Sequence, residues 1–367
     1  MKRFIIYSIV FLCLASACKT DFKVNAPWRD ITVVYGLLNQ NDSVHYIKVN
    51  RVFLGEADAE VMALERDSSE YDPSEISVTI EERTPTNAYI GTYGLTAIQD
   101  SNKALGAFYG PIQTLYYFNE LSLDPSSEYK LVIKKNETGE VVTASTPLIQ
   151  SFKFANTGFW NASKPKVNFF NNGIYGTFTQ AKWKSAVNGR RYQLTITFHY
   201  YEKPAGQTGP LTHKTLDWTF PTVKAPDLDG DDEIGSELDG EDFYKYVANK
   251  LDPISVSNNV DRCIGTLDFK VSVGGEDFNT YLDVNEPSTG IVQERPEFTN
   301  VFDGNGKEQA GIFSCRYSII EQGAVLSESG TVTNSVTWLK SGDYTNGYGF
   351  TDNADLVGQI DEGVCPL

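Results

Sequence analysis

Apolar and polar residues alternate at period two in one short run after another, and no other feature limits the fold of this chain as much. Glu75-Ile76-Ser77-Val78-Thr79-Ile80-Glu81 alternates without a break, and His45-Tyr46-Ile47-Lys48-Val49-Asn50-Arg51-Val52 does the same. Successive side chains of a strand point to opposite faces, so alternation marks a strand with one face buried and one face wet. Ile31–Tyr35 and Tyr192–Tyr200 are β-branched and aromatic runs of the same kind. Gly, Asn, Asp and Pro break these runs. Tyr129–Lys134 and Glu140–Ala144 flank the turn Asn136-Glu137-Thr138-Gly139 as a hairpin, and Asn171-Asn172-Gly173 and Asn188-Gly189 are tight-turn signals. Gly274-Gly275 predicts another hairpin, joining Leu267–Val273 to Phe278–Val284. Gly311–Tyr317 and Ser335–Leu339 read as the final strands. Short strands with regular turns predict a mostly all-β protein built from sandwiches.

About 350 mature residues suggest two domains of ordinary size. The expected division is an immunoglobulin- or fibronectin-like β-sandwich over 26–148 and a second β-rich domain over 150–367, with Pro147 closing the first unit. Leu123-Asp124-Pro125-Ser126-Ser127-Glu128-Tyr129 resembles the turn into a tyrosine corner, where a Tyr hydroxyl ties back to the upstream turn. One helix is predicted inside the second domain, over 239–251. Phe243, Tyr244, Val247, Ala248 and Leu251 share one helical face there, and Asp239, Glu241 and Asp242 suit the positive end of its dipole. Ala57–Glu65 reads as a second short helix.

The chain opens with Met1-Lys2-Arg3, continues with an apolar run from Phe4 to Leu14, and then places Ala15-Ser16-Ala17 before Cys18. A charged start, a short apolar core and a small-residue site make a secretory signal peptide over 1–17. Leu14-Ala15-Ser16-Ala17-Cys18 resembles a bacterial lipobox, with the preferred Leu one position early. Cys18 is therefore the expected lipidation site, and 18–25 the expected tether. The alternative is an ordinary cleaved signal with Cys18 as a structural residue. No apolar stretch beyond Cys18 is long enough to cross a bilayer. The formal charge is −17, and an acidic chain of this kind is not built to bind nucleic acid through its general surface. Cys263, Cys315 and Cys365 remain as disulfide candidates, with one pairing possible and the choice open.

The search for chemistry is mostly negative. The sequence holds no GxSxG, HExxH, Walker loop, CxxC or strand-to-helix GxGxxG, so the chain is expected to be non-enzymatic. His45, His199 and His213 lie far apart, and the first two sit inside strand-like runs as surface or packing residues. Phe159, Trp160, Phe169, Phe170, Trp183 and Trp218 could form a sugar platform but read better as core. The densest cluster puts nine acids between Asp227 and Asp242. Asp227, Asp229 and Asp231 occupy positions one, three and five of a calcium loop, but position six is Asp232 rather than Gly and position twelve is Leu238 rather than Glu. Calcium held by a different wrap and a solvated acidic loop are the two readings.

Several C-terminal segments carry a resemblance. They are Phe269-Lys270-Val271-Ser272-Val273-Gly274-Gly275-Glu276, Tyr281–Gln293, Arg295–Val301 and Gly311-Ile312-Phe313-Ser314-Cys315-Arg316. In this order, after a lipobox and an immunoglobulin-like domain, they resemble uncharacterised lipoproteins of Bacteroidota. The resemblance implies an outer-membrane location, often beside TonB-dependent transport, and transfers no catalytic residues. Cys315 stands where a small residue such as Ser is expected in that family. The expected function is a non-enzymatic envelope lipoprotein that binds or scaffolds, accessory to an outer-membrane transporter. The alternative is a structural or adhesive, fimbria-associated lipoprotein.

Overall fold

The computed structural model describes residues 30–52, 59–104, 106, 108–120, 122–206, 210–255, 259–286, 297–328 and 332–351. The expected signal peptide, the tether with Cys18, and Cys365 lie outside the described residues. The principal strands of the first part are β1 (Thr32–Leu38), β2 (Val44–Arg51), β3 (Ile76–Arg83), β4 (Tyr89–Gly94), β5 (Thr96–Asp100), β6 (Gln113–Asn119), β7 (Glu128–Lys135) and β8 (Val141–Pro147). Those of the second part are β9 (Arg191–Pro204), β10 (Thr212–Thr219), β11 (Val260–Gly274), β12 (Val301–Asp303) and β13 (Ala310–Leu326).

The fold is mostly β, with one large mixed sheet and one five-stranded antiparallel sheet. The large sheet has eleven strands, of which eight run in the order β10-β9-β11-β13-β1-β2-β6-β5. The smaller sheet runs β12-β8-β7-β3-β4. The alternation read from the sequence places the core. Val34, Leu38, Ile47 and Val49 bury from the large sheet, and Ile76, Val78, Ile80, Leu131 and Ile133 bury from the smaller one. Each such side chain contributes about 1.5–3 kcal/mol relative to exposure. The turn expected at Asn136–Gly139 closes the β7–β8 hairpin, with Gly139 at φ +73°.

The strand pairing crosses the seam expected between the two domains. β1 pairs in parallel with β13, Val33 to Leu38 against Ala310 to Cys315. β8 pairs with β12. Leu148 and Ile149, at the expected boundary, are buried rather than set in an exposed linker. One apolar cluster runs from Val34 through Leu131 to Phe269 and Phe350.

The helix expected over 239–251 forms as α1 (Gly240–Lys250), capped by the Asp239 side chain accepting from Glu241 N. Phe243, Tyr244 and Val247 bury on its inner face, and Phe243 stacks on Phe169 at 4.7 Å. The short early helix spans Ala59–Ala63. Two expected strands are corrected. Phe278–Val284 does not return as a hairpin arm but lies in α2 (Glu276–Asn285). Ser335–Leu339 lies in α3 (Ser335–Ser341), capped by Asn334 accepting from Thr337 N. In α2, Gly275 is the N-cap and the carboxylates of Glu276 and Asp277 occupy the first turn, where the helix dipole favours negative charge. Phe278, Tyr281 and Leu282 fit the helical spacing of three and four as readily as a strand. Among the described residues no helix is long and apolar enough to cross a membrane.

Candidate functional site: a histidine–aspartate array on the open sheet face

From Thr195 to His199 the outward residues of β9 and their partners on β10 and β11 are polar; beyond them Tyr201 packs against the His213 ring at 5.0 Å and, with Leu211, against Cys263. Thr195, Thr197 and His199 alternate with buried Leu194, Ile196 and Phe198. Register sets Thr195 beside Thr219 and Lys270, and Thr197 beside Asp217 and Asp268. Thr197 Oγ1 donates to Asp217 Oδ1 at 2.7 Å.

Two β-bulges lie side by side at this point. Phe198 pairs with Leu267 and Tyr200 with Ile264, so Gly265 and Thr266 together oppose His199. In the next pair of strands Leu267 pairs with Ala324 and Phe269 with Glu321, so Gln322 and Gly323 together oppose Asp268. Bulges twist a strand locally and re-aim its side chains. Both bulges depend on glycine. A Cβ on Gly265 would stand 2.5 Å from the His199 carbonyl oxygen, and Gly323 adopts φ +78°, a region that L-residues avoid.

Asp268 accepts on Oδ1 from Gly323 N at 2.9 Å and meets His199 Nε2 on Oδ2 at 3.0 Å. A carboxylate can only accept, so Nε2 of His199 carries the proton. Neutral His199 is then left with its lone pair on Nδ1. That Nδ1 faces His213 Nε2 at 2.9 Å, so His213 Nε2–H is the donor. The two rings lie within 6° of parallel with centroids 5.1 Å apart. Parallel rings stacked face to face would hold their atoms further apart than this contact, so the rings meet edge to edge through an in-plane bond. His199 is 20% exposed, Asp268 13%, and His213 is exposed. The result is a chain, His213 to His199 to Asp268, anchored to the β13 backbone.

The residues singled out from the sequence are placed differently. Asp227 Oδ1 accepts from Asp229 N at 2.9 Å, and Asp231 takes φ +67° after Gly230. The loop backbone is tied to its neighbour: Asp231 N donates to the Ser185 carbonyl, Ser185 N to the Asp232 carbonyl, and Asn188 N to the Leu228 carbonyl. Among the described residues, no group of three or more His, Cys, Asp or Glu side chains is arranged to hold a metal ion, so Asp227, Asp229 and Asp231 are not brought together as a calcium cage. Cys263 is disulfide-bonded. Cys315 is a free, buried thiol, and burial pushes its pKa up to about 12. It lines a cavity of about 220 Å³ with Thr146, Asp277 and Ser314. Trp160, Phe169, Phe170 and Trp183 are core, and Phe159 and Trp218 pack partly buried against it.

Sequence reading gave His45 and His199 the same surface or packing role, and the structure separates them. His45 is buried and stacks on Phe118 at 4.7 Å, and burial lowers its pKa. His199 and His213 meet although fourteen positions separate them. The one local signal is Gly265 inside an otherwise strand-like run, which marks a bulge.

The tyrosine tie expected at residue 129 is present, with Asp124 N donating to Tyr129 Oη at 2.8 Å. A second tie of the same kind escaped sequence reading. Ala186 N donates to Tyr192 Oη at 2.7 Å. No protein-family model matches this chain, and no curated protein matches it.

Proposed function

We propose that this chain is a non-enzymatic lipoprotein of the bacterial cell envelope. It is held at the outer membrane by lipid on Cys18 and binds or scaffolds as an accessory to an outer-membrane transporter. The observation that supports a binding role is the part of the outer face of the large sheet that α2, packed on Arg191 and Gly274, leaves exposed. That face offers Tyr35 and Tyr46, about half exposed, together with Ile320 and the Thr195, Thr197 and His213 positions on paired strands. Side chains on paired strands are held more closely than side chains on loops, which suits recognition. The immunoglobulin-like reading of residues 26–148 belongs to the same proposal. It is supported by the Tyr129 tie and by two packed sheets.

The test has two parts. Cys18→Ala should move the protein from membranes to the soluble fraction, because about 0.8 kcal/mol per buried acyl CH₂ is lost. Full retention in membranes overturns the anchor. Mild detergent extraction of the parent protein should bring an outer-membrane β-barrel protein with it. Recovery of fimbrial subunits instead, or of the chain alone, overturns the transporter role.

A further inference from the structure

We propose that His199 and His213 form a two-imidazole site for a divalent transition ion of the copper(II) or nickel(II) type, with Asp268 as its positioning residue. Three observations carry this. First, Asp268 fixes the His199 tautomer. Its carboxylate accepts the Nε2–H at 3.0 Å and is itself held by Gly323 N at 2.9 Å, so the Nδ1 lone pair of His199 points at His213 Nε2. A histidine that ligates a metal usually gives its other N–H to a carboxylate in this way, which orients the ring and raises its basicity.

Second, the two nitrogens that would bind are already partners, His199 Nδ1 and His213 Nε2 meeting through an in-plane bond of 2.9 Å. That bond aims the His199 lone pair along the line to His213, so an ion about 2.0–2.1 Å from Nδ1 sits where the edge of the His213 ring now lies, and the exposed ring swings aside to a cis position. Square-planar coordination by imidazole and water is the geometry of copper(II) and nickel(II). The exchange balances without an added reagent. The proton on His213 Nε2 moves to Nδ1 of the same ring, the ion takes the place of the N–H···N bond, and water completes its coordination. His213 is exposed on β10, so its ring can tilt to aim its lone pair at the ion, while His199 stays fixed between the two bulges.

Third, the surroundings favour a cation and offer no rival imidazole. The face carries Asp217 and Asp268 beside the pair and the chain has a charge of −17. Of its three histidines, the remaining one, His45, is 2% exposed. Imidazole ligands select copper, nickel and zinc over magnesium and calcium.

The experiment is calorimetric titration of the full chain, carrying no histidine tag, with copper(II), nickel(II), magnesium and calcium. Copper(II) paramagnetic resonance is recorded in parallel. Saturable copper and nickel binding is expected, with a two-nitrogen signature in the resonance spectrum and no magnesium or calcium response. His213→Ala should abolish the binding and leave the melting temperature of the ion-free protein unchanged. Asp268→Asn should weaken it about 10–100-fold. Absence of copper and nickel binding, binding that survives His213→Ala, or an equal response to calcium would each overturn the site.

Discussion

Gly311 tests whether the two ends of the chain form one structure. It lies opposite Val34 where β1 and β13 run in parallel, at φ +89°. A Cβ built on Gly311 would stand 1.9 Å from the Val34 carbonyl oxygen and 2.8 Å from Val34 N. Both contacts are with backbone, so no side-chain rotation relieves them. Gly311→Ala therefore acts in two ways. Holding an L-residue at positive φ costs about 1–2 kcal/mol. Pushing β1 away from β13 breaks about two ladder bonds, each worth about 0.5–1.5 kcal/mol. The stiffer unfolded chain offsets about 0.4–1 kcal/mol of this. The net loss is about 2–4 kcal/mol, which lowers Tm by roughly 3–5 °C for a chain of 367 residues. Gly323→Ala is the control. Gly323 lies on the same strand at φ +78° with nothing within 4 Å of its Cβ position, so it carries the backbone penalty without the collision. Its Tm should fall by only about 1 °C. Differential scanning calorimetry of both variants beside the parent decides the matter. Equal melting temperatures for the two variants would refute a tight β1–β13 seam. Two separate transitions in Gly311→Ala, with the later one unmoved, would show that the second part folds without β1.

Two further predictions concern acidic side chains. Burial raises the Asp277 carboxyl above its ordinary pKa, although Asn300 Nδ2 donates to it at 2.9 Å. The native state therefore keeps this proton to higher pH than the unfolded chain. Its stabilising contribution is full below about pH 4 and is lost as pH rises through the folded value. Asp277→Asn keeps an acceptor for Asn300 and removes the buried charge, so its urea midpoint relative to the parent should be higher at pH 7 than at pH 4. A difference that does not change with pH refutes this account. Calcium should leave Tm unmoved, because Asp227, Asp229 and Asp231 are not gathered around one point. A calcium-dependent rise that disappears when all three are changed to Asn would show that the loop rearranges to bind.

Local pattern was enough to identify most elements. Alternation over Glu75–Glu81 and Tyr192–Tyr200, and the turn at Gly139, are visible because a strand's periodicity and a turn's φ demands are written in adjacent residues. The helix at Gly240–Lys250 was legible for the same reason, since about three turns of spacing and a capping Asp239 lie within one window. The short apolar stretches Phe278–Val284 and Ser335–Leu339 were misread. Their length suits strand or helix, and the choice rested on Gly275 and Asn334 acting as caps.

What the sequence determined by itself is a β-rich chain with an alternating core, an acidic surface and the residue types at each strand face. Tertiary structure alone decided which strands meet. β1 and β13 pair across some 277 positions, as Thr32 N does with Gln309 Oε1, and no local pattern names a parallel partner at that distance. The histidine–aspartate array has the same origin. Asp268 lies 69 positions from His199, and the two face each other because two bulges shift the register on both sides of them. A one-residue change in register turns every following side chain to the other face, so the site exists only once the whole sheet has set its register.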